Sequence, residues 1–398
     1  MPTASTVNRF RLDDILGDDL SRLRGQNLER VLRSVGRRTG AVVDTDFGPV
    51  VDFSSNDYLG LASDPRLVQA AANAANDHGL GAGGSRLISG NNPEHEALDA
   101  DVAAFFDAGR ALTFSSGYAA NVGIIPALVG RDDAIFADAL NHASLIDGCR
   151  LSRATVHVYP HADADALEAL LVRHRTLSRR ALIITDGVFS MDGDRAPLPE
   201  LIDLARRFDA WTYVDDAHAV GAIGDRGRGT ASEVGLHGEV DVSVGTFGKS
   251  FGAAGAFIYG SATLCRFLLN RARSFVFSTA VPPMQAAACR AGLQIAIDEP
   301  WRRELLRANS AALRGHIASL GIGVLGERDA HILPILIGAA DRVVAVGRAL
   351  SDAGFLVGAV RPPTVAEGSS RLRVTISASH TPTHLAEFAT ALECVLAL

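Results

Sequence analysis

One lysine in this chain lies among uncharged residues, in a position that suits amine chemistry. Lys249 is part of TFGKS, at the end of the apolar run DVSVGTF. Apolar surroundings lower the pKa of a lysine, and a neutral amine is the form that makes a Schiff base. Taken alone, the segment also fits a surface loop. Its GKS triplet resembles the end of a nucleotide-binding P-loop, but Ser243 stands where that motif needs a glycine.

A carboxylate and an imidazole follow another apolar run, in the sequence DDAH. Asp215 ends WTYVD, and His218 comes three residues later. A carboxylate in this place can keep a pyridine nitrogen protonated, which turns a bound ring into an electron sink. A helix cap or a metal ligand is the alternative for the aspartate. His218 can reach the same ring or a substrate, although a single histidine is more often structural.

Two further segments contain residues suited to a planar, phosphorylated ligand. SSGYAAN places Gly117 and Tyr118 at a turn into a helix, where backbone N–H groups and the helix dipole favour a phosphate. His142, in NHAS, can stack on a flat ring. A glycine turn is weak evidence by itself, and a core histidine is the alternative for His142. Only the combination with Lys249 and Asp215 favours a ligand site.

The strands and helices of the fold must bring these residues together. Short apolar runs precede them, and we predict that the runs are buried parallel strands of an α/β sheet. The runs are ALTF (111–114), AIFAD (134–138), ALIIT (181–185), WTYVD (211–215) and DVSVGTF (241–247). Helical patterns separate them, and a further helix, with Asn92 as its cap and Pro93 in its first turn, is predicted before the first run. Because the carboxyl ends of parallel strands meet at one edge of a sheet, the polar residues there should form one site.

The patterns at the two ends of the chain differ from this alternation. Residues 13–35 are predicted as a helix that leads into a strand pair within AVVDTDFGPVVDF. Beyond residue 290 we predict the strand HILPILIG, the helix DRVVAVGRALSDAGF, the strand RLRVTIS and a helix capped by Thr381 and Pro382. The predicted division is therefore an N-terminal segment (1–55), a large α/β domain (56–289) and a small α+β domain (290–398).

Composition excludes several classes of protein. A net charge of −7 argues against nucleic acid as the main partner, so we expect a small molecule. Four cysteines, at positions 149, 265, 289 and 394, have no metal-site spacing and are too few for a disulfide scaffold. No apolar run approaches the roughly 20 residues that span a bilayer, and MPTASTVNRFRLDD lacks the apolar stretch of a signal peptide. We therefore expect a cytoplasmic protein without a membrane partner or a metal site.

Taken together, the motifs resemble a known family. The aromatic-turn glycine, NHAS, FSMDGD, DDAH and TFGKS occur in the order found in α-oxoamine synthases, pyridoxal-phosphate enzymes of fold type I. The resemblance extends from Asn56 to about His380. It implies an aminotransferase-like fold, in which a large, mainly parallel-sheet domain carries a smaller α+β C-terminal domain. It also implies pyridoxal phosphate as cofactor and a homodimer with shared active sites.

The resemblance assigns roles to residues of this chain. Lys249 is the expected Schiff-base lysine and proton-transfer group, Asp215 the partner of the ring nitrogen, and His142 the stacking side chain, with Ser190 and His218 on the ring or its oxygen. The expected phosphate ligands are Gly117, Tyr118 and Thr246, with Ser278 and Thr279 from a second subunit. The expected carboxylate ligands are Arg361 in RPPT, Asn56 and Arg30, with Thr364 lining their pocket.

The implied reaction is a decarboxylative condensation of a small amino acid with an acyl thioester. RPPTV and SRLRVTISASH favour family members that join L-alanine to a pimeloyl group carried by coenzyme A or a carrier protein. Glycine C-acetyltransferase and 5-aminolevulinate synthase share almost all of these residues and remain alternatives. An inactive partner subunit is disfavoured by Lys249, and a dinucleotide oxidoreductase by the lack of a glycine fingerprint after the first strand. Two positions depart from the family, Asp186 in place of glutamate and Ala366 in place of proline.

Overall fold

A computed structural model of the chain describes residues 11–397. Residues 1–10, which make up most of the segment considered for a signal peptide, and residue 398 lie outside the described part. The strands are β1 (Val35–Thr39), β2 (Val42–Thr45), β3 (Gly48–Asp52), β4 (Arg110–Phe114), β5 (Ala134–Asp138), β6 (Thr155–Tyr159), β7 (Ala181–Asp186), β8 (Trp211–Asp215), β9 (Val242–Thr246), β10 (Ala256–Gly260), β11 (Ile332–Gly338), β12 (Phe355–Leu356), β13 (Gly358–Val360) and β14 (Ser370–Thr375). The helices are α1 (Leu12–Gly25), α2 (Pro65–His78), α3 (Pro93–Phe105), α4 (Gly117–Leu128), α5 (Ala143–Ser152), α6 (Ala164–His174), α7 (Leu198–Arg207), α8 (Thr230–Glu233), α9 (Ala262–Arg271), α10 (Arg273–Val276), α11 (Pro283–Asp298), α12 (Trp301–Ser319), α13 (Ala340–Asp352) and α14 (Pro382–Leu396).

The largest sheet has seven strands in the order β4-β10-β9-β8-β7-β5-β6. All five apolar runs predicted as strands form β4, β5, β7, β8 and β9, so the α/β prediction is confirmed. Strands β6 and β10 were not predicted, and β10 is antiparallel to both of its neighbours. The remaining neighbours pair in parallel. Polar residues at the carboxyl ends of β5, β7, β8 and β9 therefore share one edge.

Helices cover both faces of this sheet, which explains its continuous apolar strands. Every residue of β5 and β7 is buried. On one face Ile124 of α4 and Leu145 of α5 pack in the core, and on the other Leu167 of α6 and Leu201 of α7 do so. Burial on both faces holds the strand ends in fixed positions, as a site built from them requires.

The predicted N-terminal helix over 13–35 is wrong at its C-terminal end. Helix α1 stops at Gly25, and Asn27 adopts a left-handed φ of 56°. A residue in that conformation commonly ends a helix. Residues 28–34 form no regular element and lead into β1, which joins a sheet of order β1-β2-β3-β12. The predicted strand pair corresponds to β2 and β3.

The predicted C-terminal elements form β11, α13, β14 and α14, and α14 begins with a capping box between Thr381 and His384. Strand β14 is the centre of a three-stranded sheet of order β11-β14-β13. The boundary predicted at 289/290 lies within α11, and the division into domains stays a prediction. Among residues 11–397, no helix combines the length and the apolar character needed to cross a membrane.

Candidate active site

Lys249 lies three residues beyond the end of β9, and it is the only lysine in the chain. Burial lowers the pKa of its half-buried amine to about 8, while the charges of Asp215 and Asp186 oppose this shift and that of Arg373 reinforces it. Arginine cannot replace a lysine as an amine nucleophile, because its guanidinium stays protonated. Every other residue in the combined count of lysine and arginine is an arginine. This composition singles out Lys249, and the prediction above did not rest on it.

Asp215 and His218 lie where the sequence prediction puts them, at and just after the end of β8. The Asp215 oxygens accept hydrogen bonds from the side-chain amide of Asn121 at 2.6 Å and from the backbone of Ala217 at 3.0 Å. The His218 imidazole is buried, with Nδ1 2.7 Å from the Tyr58 hydroxyl. Burial, together with nearby positive charges that include Lys249, lowers the pKa of His218 well below its usual value. The ring is therefore neutral at physiological pH.

His142 caps the start of α5 and has an exposed side chain, so a ring face is available for stacking. Its backbone N–H donates to Asp186 Oδ2 at 2.7 Å. Asp186, which replaces the glutamate of the family, thus still forms a hydrogen bond with the backbone at His142. Burial, reinforced by the charge of Asp215, raises the pKa of Asp186 well above its usual range.

The predicted phosphate ligands lie at the start of α4 and beside it. Gly117 and Tyr118 form the first turn, which Ser116 caps by accepting a bond from Ala119. The Thr246 hydroxyl donates to the Gly255 carbonyl at 2.8 Å, so to bind a phosphate it would have to turn its proton from that carbonyl to a phosphate oxygen. Ser278 and Thr279 follow α10 and line a small cavity together with Ser115 of the same chain. Their assignment to a second subunit stays a prediction.

Arg373, on β14, is a site residue that sequence reasoning missed. It is buried, its Nε donates to the Ser190 carbonyl, and an Nη donates to Asn56 Oδ1 at 3.1 Å. Within residues 11–397 it forms no ion pair, whereas Arg371 on the same strand pairs with Asp192. The sequence signal for this residue is the pair Arg371 and Arg373, which occupy alternate positions of a buried strand. A buried guanidinium without an ion-pair partner suits a carboxylate ligand, which can accept two hydrogen bonds from it and balance its charge.

Arg30, Arg361 and Thr364 form a second cluster, separate from Arg373 in its contacts. Arg30 donates to the Thr364 hydroxyl at 3.3 Å, and Arg361 donates to the Glu29 carbonyl at 2.8 Å. The buried Nε of Arg361 has no hydrogen-bond partner in the described part of the chain. Burial and the charge of Arg30 lower the pKa of Arg361. In the structure Asn56 thus contacts Arg373 and not Arg361. Ala366, the second position that departs from the family, is close in sequence to Thr364, and its carbonyl accepts a hydrogen bond from the Ser369 hydroxyl.

These residues fit pyridoxal phosphate. The amine of Lys249 has a lowered pKa, the buried Asp215 carboxylate lies within its electrostatic reach, and the exposed His142 imidazole interacts with both. A Cβ added to Gly117 would meet nothing within 4 Å, so the first turn of α4 is open to a phosphate. A helix N-terminus with free N–H groups is a natural phosphate site. The arrangement can hold a phosphorylated carbonyl compound and move protons beside it.

Comparisons with known proteins extend the similarity over most of the chain. A family described as "Aminotransferase class I and II" matches residues 48–392. The 8-amino-7-oxononanoate synthase of Anaeromyxobacter dehalogenans is 47% identical over 383 residues, covering 96% of each chain. Serine palmitoyltransferase from S. paucimobilis, solved with bound PLP and myriocin, has a TM-score of 0.90 at 28% identity and covers 97% of this chain and 98% of that one. For the 8-amino-7-oxononanoate synthase of Francisella tularensis the TM-score is 0.75 at 26% identity, over 87% of this chain and 98% of that one.

Proposed function

The chain belongs to the aminotransferase class I and II family, in the branch of the 8-amino-7-oxononanoate synthases, and we propose that it joins L-alanine to a pimeloyl thioester. The bond formed lies between the alanine Cα and the thioester carbonyl carbon. The thiol leaves, and the alanine carboxylate departs as carbon dioxide, which gives 8-amino-7-oxononanoate for biotin synthesis. The observation that carries the proposal is Lys249, the one lysine of the chain, whose lowered pKa makes its amine available beside Asp215.

Pyridoxal phosphate, when bound, supplies an electron sink for the pair left at Cα by loss of a proton or of carbon dioxide. Lys249 would hold its carbonyl carbon, Asp215 its ring nitrogen, and His142 one face of its ring. Ser190 and His218 would contact the ring or its oxygen, and the phosphate would be held by Gly117, Tyr118 and Thr246.

Lys249 is also the group that moves the proton at Cα. With a pKa of about 8, its amine exchanges a proton near neutral pH with little energetic penalty in either direction. His218 stays neutral and donates or accepts a hydrogen bond without adding a positive charge. This division leaves one group to transfer the proton and another to orient the reacting atoms.

Two separate clusters would hold the two carboxylates of the substrates. Arg373 and Asn56 lie beside Ser190 and Tyr58, so they would bind the carboxylate of L-alanine. Arg361, Arg30 and Thr364 would bind the far end of the acyl group. Since a pimeloyl chain carries a terminal carboxylate and an acetyl chain does not, the second cluster favours the longer acyl donor over that of glycine C-acetyltransferase.

A second copy of the chain is part of the proposal. Helix α1 buries none of its own residues, and Leu32 and Phe277 are 100% and 72% exposed. Exposed apolar surface commonly marks a contact with another protein, and in a symmetric dimer the same surface of the second copy would cover it. Ser278 and Thr279, adjacent to Phe277, would then contact the phosphate held by the other copy. A cytoplasmic location also stays within the proposal.

The test is a visible absorption spectrum of the purified protein with pyridoxal phosphate, followed by titration with L-alanine, glycine and L-serine. Mass spectrometry then identifies the product made with pimeloyl and acetyl thioesters, each supplied on coenzyme A and on a carrier protein. The proposal expects the strongest response to L-alanine and the aminoketone product from the pimeloyl donor. A preference for glycine with an acetyl donor would replace it by the acetyltransferase function, and a protein that takes up no pyridoxal phosphate would overturn both.

A further inference from the structure

Asn121, on α4, has a fully buried side chain that contacts three other side chains at the site. Its Nδ2 donates to Asp215 Oδ2 at 2.6 Å and to Ser144 Oγ at 2.8 Å. Its Oδ1 accepts the Tyr213 hydroxyl at 2.6 Å. Both amide protons are used, and reversing the amide would set its oxygen against the Asp215 carboxylate. The orientation of Asn121 is therefore fixed by its partners.

One branch of these contacts reaches His142 through Ser144. Because Ser144 Oγ accepts a proton from Asn121, its own proton is free for His142 Nδ1, 2.7 Å away. The Ser144 backbone N–H also points at Nδ1, at 3.2 Å. Nδ1 is thus an acceptor from both, and the proton of the neutral imidazole lies on Nε2.

The other branch ends at Asp215. Asn121 holds Oδ2, and the Ala217 backbone N–H holds Oδ1 at 3.0 Å. Each carboxylate oxygen keeps a further lone pair, so the group is oriented without being saturated. The same amide that fixes this carboxylate also fixes the proton arrangement of His142.

We propose that Asn121 is a positioning residue that sets the Asp215 carboxylate and the His142 imidazole as one unit. Asp215 is assigned to the ring nitrogen of the cofactor and His142 to its ring face. Asn121 keeps these two side chains in a fixed orientation relative to each other. This inference rests on the proposed function for the identity of that ring. The hydrogen-bond network exists in the protein without it.

The chemistry of the network requires an asparagine. Aspartate has the same shape but cannot donate two protons, and it would place a second carboxylate against Asp215. Alanine would leave buried polar atoms of Ser144, Tyr213 and Asp215 without a partner. Glutamine is longer by one methylene, for which a fully buried site has no room.

The experiment compares Asn121→Asp with Ser144→Ala, which removes the hydroxyl that links Asn121 to His142 and leaves the Asn121–Asp215 hydrogen bond in place. Asn309→Asp is the control, because Asn309 is a buried asparagine that also donates two bonds, to the carbonyls of Ser377 and His380. One readout is the ¹⁵N signature of the His142 ring in histidine-labelled protein, assigned with His142→Phe. The other is the dissociation constant for pyridoxal phosphate, measured by absorbance titration.

We expect the wild type to show a protonated Nε2 at His142. Ser144→Ala should change that signature and alter the cofactor dissociation constant by less than about twofold. Asn121→Asp should change the signature and raise the dissociation constant about tenfold or more, since hydrogen bonds to charged groups are the strong ones. The control should leave both unchanged. Tyr213→Phe serves as a milder second variant, with a partial effect in the same direction.

The proposal is overturned if folded Asn121→Asp keeps the wild-type signature and affinity, or if Ser144→Ala leaves His142 unchanged. These results differ from a failure of the proposed function. In that case the wild type itself would take up no pyridoxal phosphate, or would yield no product with L-alanine. The His142 signature of the protein without cofactor would still report on the network.

Discussion

The Tyr58 hydroxyl lies 2.7 Å from Nδ1 of His218 and 3.1 Å from Oδ1 of Asn56, although 160 residues separate Tyr58 from the histidine. One buried phenol thus connects the imidazole expected at the ring oxygen with the amide beside Arg373. Burial raises the pKa of Tyr58 to about 12, so the hydroxyl stays protonated and can serve as a donor.

Replacement of this hydroxyl should impair the reaction without removing a group that reacts. In Tyr58→Phe the buried Nδ1 of His218 loses its partner, which costs about 1–3 kcal/mol. We expect kcat with L-alanine to fall roughly tenfold, with the melting temperature lowered slightly. Tyr159→Phe is the control, because the buried Tyr159 hydroxyl has no hydrogen-bond partner among the described residues. Equal kcat values for the two variants would contradict the role of Tyr58.

Substitutions in the two arginine clusters should raise the KM of different substrates. Arg373→Gln removes the unpaired guanidinium assigned to the amino-acid carboxylate, so KM for L-alanine should rise about 10- to 100-fold. Arg361→Gln should instead raise KM for the acyl thioester and leave KM for L-alanine near the wild-type value. The opposite pattern would exchange the two assignments.

The pKa of Lys249 predicts how the protein without cofactor takes up pyridoxal phosphate. Only the neutral amine attacks a carbonyl, and with a pKa of about 8 roughly a tenth of it is neutral at pH 7. The attachment rate should rise about tenfold per pH unit below pH 8 and level off above it. Borohydride reduction followed by peptide mapping would identify Lys249 as the point of attachment, since the chain has no other lysine. A rate that still rises towards pH 10.5 would show an unperturbed amine.

His161 should stabilise the FSMDGD loop in a pH-dependent way. Its two ring nitrogens lie 3.0 Å from Asp138 and 2.6 Å from Asp194, and these carboxylates raise its pKa to about 10. The stabilisation is therefore complete below pH 6.5, the unfolded-state value, and is lost as the pH rises towards 10. His161→Gln should lower the melting temperature most at pH 6 and least at pH 10. The exposed His316 provides the control variant, His316→Gln, with no change at either pH.

Shared active sites predict complementation between two inactive variants. Lys249→Ala lacks the amine, and the double variant Ser278→Ala, Thr279→Ala lacks the hydroxyls assigned to the other copy. If those hydroxyls act across the dimer, a mixed dimer contains one complete site, and an equal mixture should recover about a quarter of wild-type activity. No recovery, despite subunit exchange shown by mass spectrometry, would place the hydroxyls in their own subunit's site.

Much of the fold and of the site could be predicted from the sequence. The five apolar runs could be predicted as strands because a strand that is buried on both faces has a continuous run of apolar residues. Lys249, Asp215 and His218 lie near one another because each stands at or just beyond the carboxyl end of a strand of one sheet. The antiparallel β10 was missed, since its five residues follow a glycine-rich stretch and carry no helix before them. The end of α1 was misplaced because the left-handed turn at Asn27 has no strong periodic signal.

The sequence by itself determined the chemistry of this protein, because residue types and local periodicity decide which groups stand at strand ends. Only the tertiary structure decided which groups face each other across long separations. Arg373 meets Asn56, 317 residues away, and Asn121 meets Asp215, 94 residues away. Such pairs depend on how β14 and α4 pack in the folded chain, and neither strand alternation nor helix periodicity encodes a partner. For that reason the sequence predicted Lys249, whereas the assignment of the arginines and the role of Asn121 came from the structure.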